Sequence, residues 1–452
     1  MKKRSLLFFI LVIVLGISLS GCSLVTGFPM SKTVRPPRLE GEKRALQLAF
    51  EKNVGDKVTL KSPAKGAHLA PFVLYDINGD GNEEAFVFYS DSSADTSVRV
   101  NILQKIDDSW VSVADLKGSG NAVYEIEFID ANLDGKSEVI ISWSLFDNKT
   151  TRIVSVLDFV VSQDGRLVFT AKANEYFTYK EVIDFDLDGL YELCILCIDD
   201  TAQVPQSYLR LFNFTENNTV KLSSELILDN NIVAVSKTHR DIVSVNNKDG
   251  ARLFFDVMKN EVGLFTEVLV WSKTENKLIR ELKNPLADTF RNSVIHTRDI
   301  DNDGYYEIPV ITKLIGSRQK QLISGDEKTN DELYIEMIKW LSVENGRLKQ
   351  DMLTIYNPSD LYFFKVNWKA SSITARYDEK LGETIFSEWN EREGKYGNDL
   401  FALKFNSNVS KVLAEYTLVA SGERGNYWCK IYPNAKNHSI TVDYIARNLI
   451  LL

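Results

Sequence analysis

Cysteine, histidine and proline are all scarce in this chain, with four, four and ten residues among 452. The cysteines are Cys22, Cys194, Cys197 and Cys429, which imply no disulfide framework. Cys194 and Cys197 form a C-x-x-C, but they stand inside the apolar run YELCILCI. In a strand, residues three apart point to opposite faces, so this pair reads as two separate buried thiols. The histidines, His68, His239, His296 and His438, share no local spacing, and His296 reads as a packed residue rather than a catalytic one. There is no H-E-x-x-H, G-x-S-x-G, P-loop or Rossmann glycine pattern. Scarce proline beside 24 Phe and 18 Tyr favours strands.

Positive charge is also in deficit: 53 Lys and Arg against 62 Asp and Glu give a formal net charge of −9. Three of the cations, Lys2, Lys3 and Arg4, precede an apolar run from Leu6 to Leu19. That run has about 14 residues, short of the roughly 20 that a membrane span needs. It leads into LSGC, residues 19–22, which resembles the bacterial lipobox. Residues 1–21 then read as a lipoprotein signal peptide, and Cys22 as the acylated, palmitate-bearing first residue of the mature chain. The competing reading is an ordinary signal peptide with an incidental cysteine. Cleavage before Cys22 removes three positive and no negative charges, taking the net charge from −9 to −12. Such an acidic exported chain is no nucleic-acid binder. Its expected place is the extracytoplasmic face of the cell membrane, lipid-anchored.

What the chain does have is a repeated acidic loop. DINGDGNEE begins at Asp76, DANLDGKSE at Asp130, DFDLDGLYE at Asp184 and DIDNDGYYE at Asp299. Counting from the first Asp, positions 1, 3 and 5 are Asp or Asn, position 6 is Gly and position 9 is Glu. The first two intervals are 54 residues and the last is 115, about twice as long. Stepping back 54 from Asp299 lands on VNNKDGARL, where Asn247, Asp249 and Gly250 keep the phase but Val245 and Leu253 replace the terminal carboxylates. A fixed period with one mute copy signals a repeat architecture. Each period holds about four strands joined by Asp, Asn and Gly turns, such as KIDDSW, KTENKL and VENGRL. Four antiparallel strands per roughly 50 residues is the size of one β-propeller blade. A parallel solenoid or a string of sandwiches is the alternative.

The D-x-[DN]-x-D-G-x-x-E loops resemble those of FG-GAP or VCBS-type repeats, found in integrin α chains and bacterial surface proteins. The stretch GAHLAPFVLYDINGDGNEEAFVFY is similar to the first repeat of lipoproteins of Gram-positive bacteria. The likeness covers roughly residues 65–350 and lacks the literal Phe-Gly and Gly-Ala-Pro signatures. It implies a mainly β fold, with five detectable repeats of about 54 residues that flanking strands complete to six or seven blades.

The loop chemistry fits calcium, a hard cation taking six to eight oxygens. The expected ligands are Asp76, Asn78, Asp80 and Glu84; Asp130, Asn132, Asp134 and Glu138; Asp184, Asp186, Asp188 and Glu192; and Asp299, Asp301, Asp303 and Glu307. Gly at position 6 supplies the bend, and position 7 a carbonyl. These are not EF-hands, whose bidentate Glu stands at position 12 between helices. Zinc is excluded because no ligand is His or Cys. The rival reading, a polar surface turn, needs no Glu at position 9.

The expected organisation is a signal peptide over 1–21, a tether over 22–45, the propeller over 46–353 and a small α+β domain over 354–452. A short helix is expected over 40–52, and a polar insertion over 315–332. The region after residue 354 offers Trp368 and Trp389 as core or face aromatics, and can alternatively contain the last blade. Two functions stand at this point. One is a non-enzymatic surface protein whose calcium-stiffened propeller binds a protein or glycan. The other is a surface polysaccharide hydrolase or lyase using scattered carboxylates, which carries no short sequence signature.

Overall fold

The computed structural model describes residues 41–452 apart from 92–96, 146–149, 200–205, 216–218, 231, 246–247, 260–262, 318–334, 368–371 and 410–412. The expected signal peptide, Cys22, most of the expected tether and of the expected 315–332 insertion, and Trp368 therefore lie outside the described residues.

The described residues are mainly β, arranged as six antiparallel sheets. The first pairs Phe72–Tyr75, Glu84–Asp91, Val98–Ile106 and Ser109–Lys117 in order, with Val58–Leu60 beside Glu84–Asp91 as well. The second runs Ala122–Ile129, Glu138–Ser144, Arg152–Val161, Leu167–Phe177. The third runs Tyr179–Ile183, Glu192–Asp199, Gln206–Phe214, Val220–Ile227. The fourth runs Ile232–Val245, Lys248–Lys259, Gly263–Ser272, Lys277–Arg280. The fifth begins Ile308–Lys313, Glu336–Glu344, Arg347–Asn357, Tyr362–Lys365, and the C-terminal strand Leu449–Leu451 extends it. No described sheet is parallel, which removes the solenoid alternative.

The strand Arg347–Asn357 crosses residue 354, so the expected boundary has no counterpart in the strand pairing. Residues 373–431 instead form a sixth sheet, in the order Ile373–Asp378, Glu383–Asn390, Lys395–Asn406, Gly425–Ile431, Thr417–Gly422. The helix expected at 40–52 is present as Glu42–Val54; short helices also span Pro285–Thr289 and, before the last strand, Val442–Asn448.

Burial explains why the second strand of a sheet is a continuous apolar run. Val139 and Ile141 pack toward the first sheet, while Ile140 packs toward the third. A strand with partners on both faces has no solvent side to fill with polar residues. The same alternation links the sheets in chain order. Cys194 and Leu196 meet the fourth sheet, Phe254 meets Ile308 of the fifth, and Phe364 of the fifth meets Phe386 of the sixth. The remaining face of the first sheet is covered by the N-terminal helix through Leu46 and Phe50. Among the described residues, no strand pairing joins the first sheet to the sixth. Cys194, Cys197 and Cys429 are buried, and in YELCILCI Cys194 packs on the face toward the fourth sheet.

Candidate metal centres in four matching loops

Three of the loops connect the first and second strands of the first three sheets, and the fourth leads into Ile308–Lys313 of the fifth. Their hydrogen bonding is the same in each. At position 1, Asp76, Asp130, Asp184 and Asp299 accept the position-5 amide on Oδ1, at 3.0–3.2 Å. Their Oδ2 atoms accept the amide of the position-6 glycine at 2.9–3.0 Å. At position 5, Asp80, Asp134, Asp188 and Asp303 accept the amide of position 7 at 2.8–2.9 Å. At position 9, the Oε2 of Glu84, Glu138, Glu192 and Glu307 accepts the position-2 amide at 2.8–3.1 Å. Aspartates that capture nearby amides bend the chain back on itself.

The backbone follows this demand. Gly81, Gly135, Gly189 and Gly304 have φ between 84° and 95°, where glycine carries no Cβ penalty. Position 4 is left-handed too: Gly79, Leu133, Leu187 and Asn302 have φ of 57° to 71°. Leucine at such a φ is strained by roughly 1–2 kcal/mol, so the aspartate contacts must hold it there. Leucine at position 4 does not by itself signal this turn; its alignment with Gly79 and Asn302 does.

The glutamates are the least exposed members, from 1% at Glu84 to 5% at Glu138. Burial, with the neighbouring aspartates adding to it, pushes Glu84, Glu138 and Glu307 up to about 7 and Glu192 up to about 8. The amide from position 2 opposes that rise without cancelling it. Asp186 is shifted upward by burial and then by Asp188, and its Oδ1 is buried without a hydrogen-bond partner. In the third loop, oxygens of Asp184, Asp186 and Glu192 lie within 4.8 Å of one another, as do those of Asp299, Asp301 and Asp303 in the fourth. In the first loop, Asn78 Nδ2 donates to Asp80 at 3.1 Å and to Glu84 at 3.4 Å. In the second, Asn132 donates instead to the carbonyl of Thr215 at 3.4 Å. Among the described residues, carboxylate oxygens converge in the third and fourth loops and not in the first two, and the third loop leaves one buried oxygen orphaned. The all-oxygen donor set fits a hard divalent cation and offers nothing to a soft one.

The mute copy differs from its sequence alignment by one residue. Glu84 pairs across from Tyr75, Glu138 from Ile129 and Glu192 from Ile183; in the fourth sheet the corresponding pair is Arg252 across from Asp241. Arg252, rather than Leu253, thus holds the position of the buried Glu. It forms ion pairs with Glu281 at 2.9 Å and Asp241 at 3.8 Å. A cation has replaced the carboxylate, and Val245 pairs directly with Lys248 where the other copies have the loop. In the sixth sheet, Glu383 keeps the buried position across from Asp378, but only four residues connect the two strands, and its Oε2 accepts from Tyr416.

No family model matches this chain, and no curated protein matches it. Among solved structures, it is similar to a putative 6-phosphogluconolactonase from Bacteroides fragilis, at 12% identity, over 74% of this chain and 85% of that one. The TM-score of that comparison is 0.23, which carries no argument about fold or activity.

Proposed function

We propose that this chain is a lipid-anchored, extracytoplasmic protein of the FG-GAP or VCBS type. Its stacked sheets act as propeller blades, calcium ions staple four of them, and the assembled face binds a glycan or protein ligand without catalysis. The observation that carries the reading is the shared hydrogen-bond pattern of four loops, each ending in a buried glutamate. A polar turn needs no such residue, whereas a calcium site needs a carboxylate that returns from the next strand. The ions would be held by the residues at positions 1, 3, 5 and 9, and each would supply positive charge to carboxylates that burial disfavours. The lipid on Cys22 and the segment between it and the helix Glu42–Val54 would place the sheets above the membrane. Two measurements test this. Cys22→Ala should move the protein from the membrane fraction to the medium; continued sedimentation with membranes defeats the anchor. A glycan and protein array probed in calcium should return a ligand, and turnover of a bound polysaccharide would replace the binding reading with an enzymatic one.

A further inference from the structure

On the first strands of the sheets, cations are matched with carboxylates from the neighbouring sheet. Lys180 of the third sheet pairs with Glu125 at 3.4 Å and with Glu127, both of the second. Arg240 of the fourth pairs with Glu181 of the third at 3.3 Å. The next step, from the fourth sheet to the fifth, breaks this rule. Lys237 lies on the strand Ile232–Val245, and Arg298 bridges to Glu307 through its backbone. Among the described residues, neither side chain has a carboxylate within ion-pair distance. Arg298 instead stands 5.9 Å from the ring centroid of Phe363.

Between these two cations lies a cavity of about 520 Å³, lined also by His296, Tyr306 and Tyr356. Asp299 reaches the same cavity, but its two oxygens accept the amides of Asp303 and Gly304. His296 shares a 2.9 Å hydrogen bond with the Ser236 hydroxyl, and His239 stacks on Tyr306 with ring centroids 4.7 Å apart. Burial lowers both imidazoles, His239 to about 4, and lowers the Arg298 guanidinium too, which Asp299 opposes. The volume suits a ligand the size of a sugar or small cofactor. The guanidinium fork suits a planar carboxylate or a phosphate, and tyrosine rings suit the apolar face of a pyranose.

We propose that this cavity binds an acidic sugar unit, with its carboxylate or phosphate between Arg298 and Lys237 and its ring against Tyr306 and Tyr356. The inference deepens the glycan-binding reading and rests on it for the origin of the ligand. The test is titration of the calcium-loaded mature chain with glucuronate, glucose 1-phosphate and glucose, followed by calorimetry or NMR. At least one anion should bind saturably, and glucose should bind at least tenfold more weakly. The preferred anion then identifies the source as a uronate or a phosphorylated sugar. Arg298→Gln should weaken that binding at least tenfold and the exposed Lys237→Gln several-fold, with unchanged melting temperatures. If Arg298→Gln fails to fold, Lys237→Gln carries the test alone. Absence of binding by either anion, equal binding of glucose, or full affinity in the folded variants would overturn the proposal. A melting temperature indifferent to calcium, with anion binding intact, would remove the calcium staple and leave this cavity standing.

Discussion

The amide of Ser137 donates to the carbonyl of Ile77 at 2.8 Å, tying the second acidic loop to the first. Tyr191 donates to Ala131 at 2.9 Å in the next pair, and Ala251 to Phe185 at 3.0 Å in the third. In the first two, position 8 of one loop holds the position-2 carbonyl of the loop before it. That same position-2 residue gives its amide to its own buried glutamate, Ile77 to Glu84 and Ala131 to Glu138. Each glutamate therefore anchors a residue that also anchors the neighbouring sheet. Whatever fixes the glutamate is felt one sheet further along.

The first prediction follows from that linkage. Calcium should raise the melting temperature in a single cooperative transition, with four ions bound. At dissociation constants of about 10⁻⁵ to 10⁻⁴ M and roughly 1 mM calcium, each site adds about 1.4–2.7 kcal/mol by mass action. Equal magnesium should restore less, because it demands a tighter octahedral shell. Calorimetric titration counts the ions; a fifth site would contradict the replacement of the buried carboxylate by Arg252 in the fourth sheet.

The chelated protein should lose stability as pH rises from about 5 to 8. Glu84, Glu138, Glu192 and Glu307 have folded-state values of about 7 to 8, above the ordinary 4.5. A group whose folded value is raised contributes stability in full below its unfolded value, and loses it as pH climbs through the folded one. Calcium binds the ionised form, so its stabilising effect should grow over the same range. Melting curves at pH 5, 6, 7 and 8, with and without chelator, read both slopes. A chelated protein that stabilises toward pH 8 rules this out.

Arg252→Ala should destabilise by about 3–5 kcal/mol, because it leaves two buried carboxylates facing each other unpaired. Those are Asp241 and Glu281, the former already pushed up to about 6 by its burial. The loss should be equal in calcium and in chelator, since this sheet has no acidic loop between its first two strands. A loss that appears only in calcium would mean that Arg252 supports an ion instead of replacing one.

Apolar strand-length runs, the spacing of the acidic loops and Asp, Asn and Gly at the turns made the strands and hairpins legible in the sequence. Asp107 and Asp108 of KIDDSW, and Asn345 and Gly346 of VENGRL, all take the positive φ that their turns require. The four matching turns were legible too, since Asp and Asn at alternate places precede a glycine that must bend. Three things were hidden wholly or in part. The mute copy slipped by one residue because counting along the chain cannot register a missing loop; only the pairing of Arg252 with Asp241 can. The sixth sheet was legible only as an alternative to a separate domain, because Glu383 survives there without its aspartates. The cavity at Lys237 and Arg298 escaped because its residues come from the fourth and fifth sheets, and no spacing in one sequence joins them.

Glu192→Gln separates the metal reading from the polar-turn reading most cleanly. The amide oxygen of glutamine can still accept from Phe185, which Glu192 now does at 2.8 Å. What changes is the charge of a side chain only 3% exposed, with Asp184 and Asp186 nearby. Without calcium, a buried carboxylate among carboxylates is unfavourable at pH 8, so the variant should melt higher than the wild type in chelator. With calcium, the variant lacks one anionic ligand and should show a smaller calcium-induced rise, with one fewer ion bound tightly. The two melting curves should therefore cross between chelator and excess calcium. If the loop is only a turn, the variant is equal to or better than the wild type in both conditions. Parallel shifts with no crossing would remove the ion from the third loop.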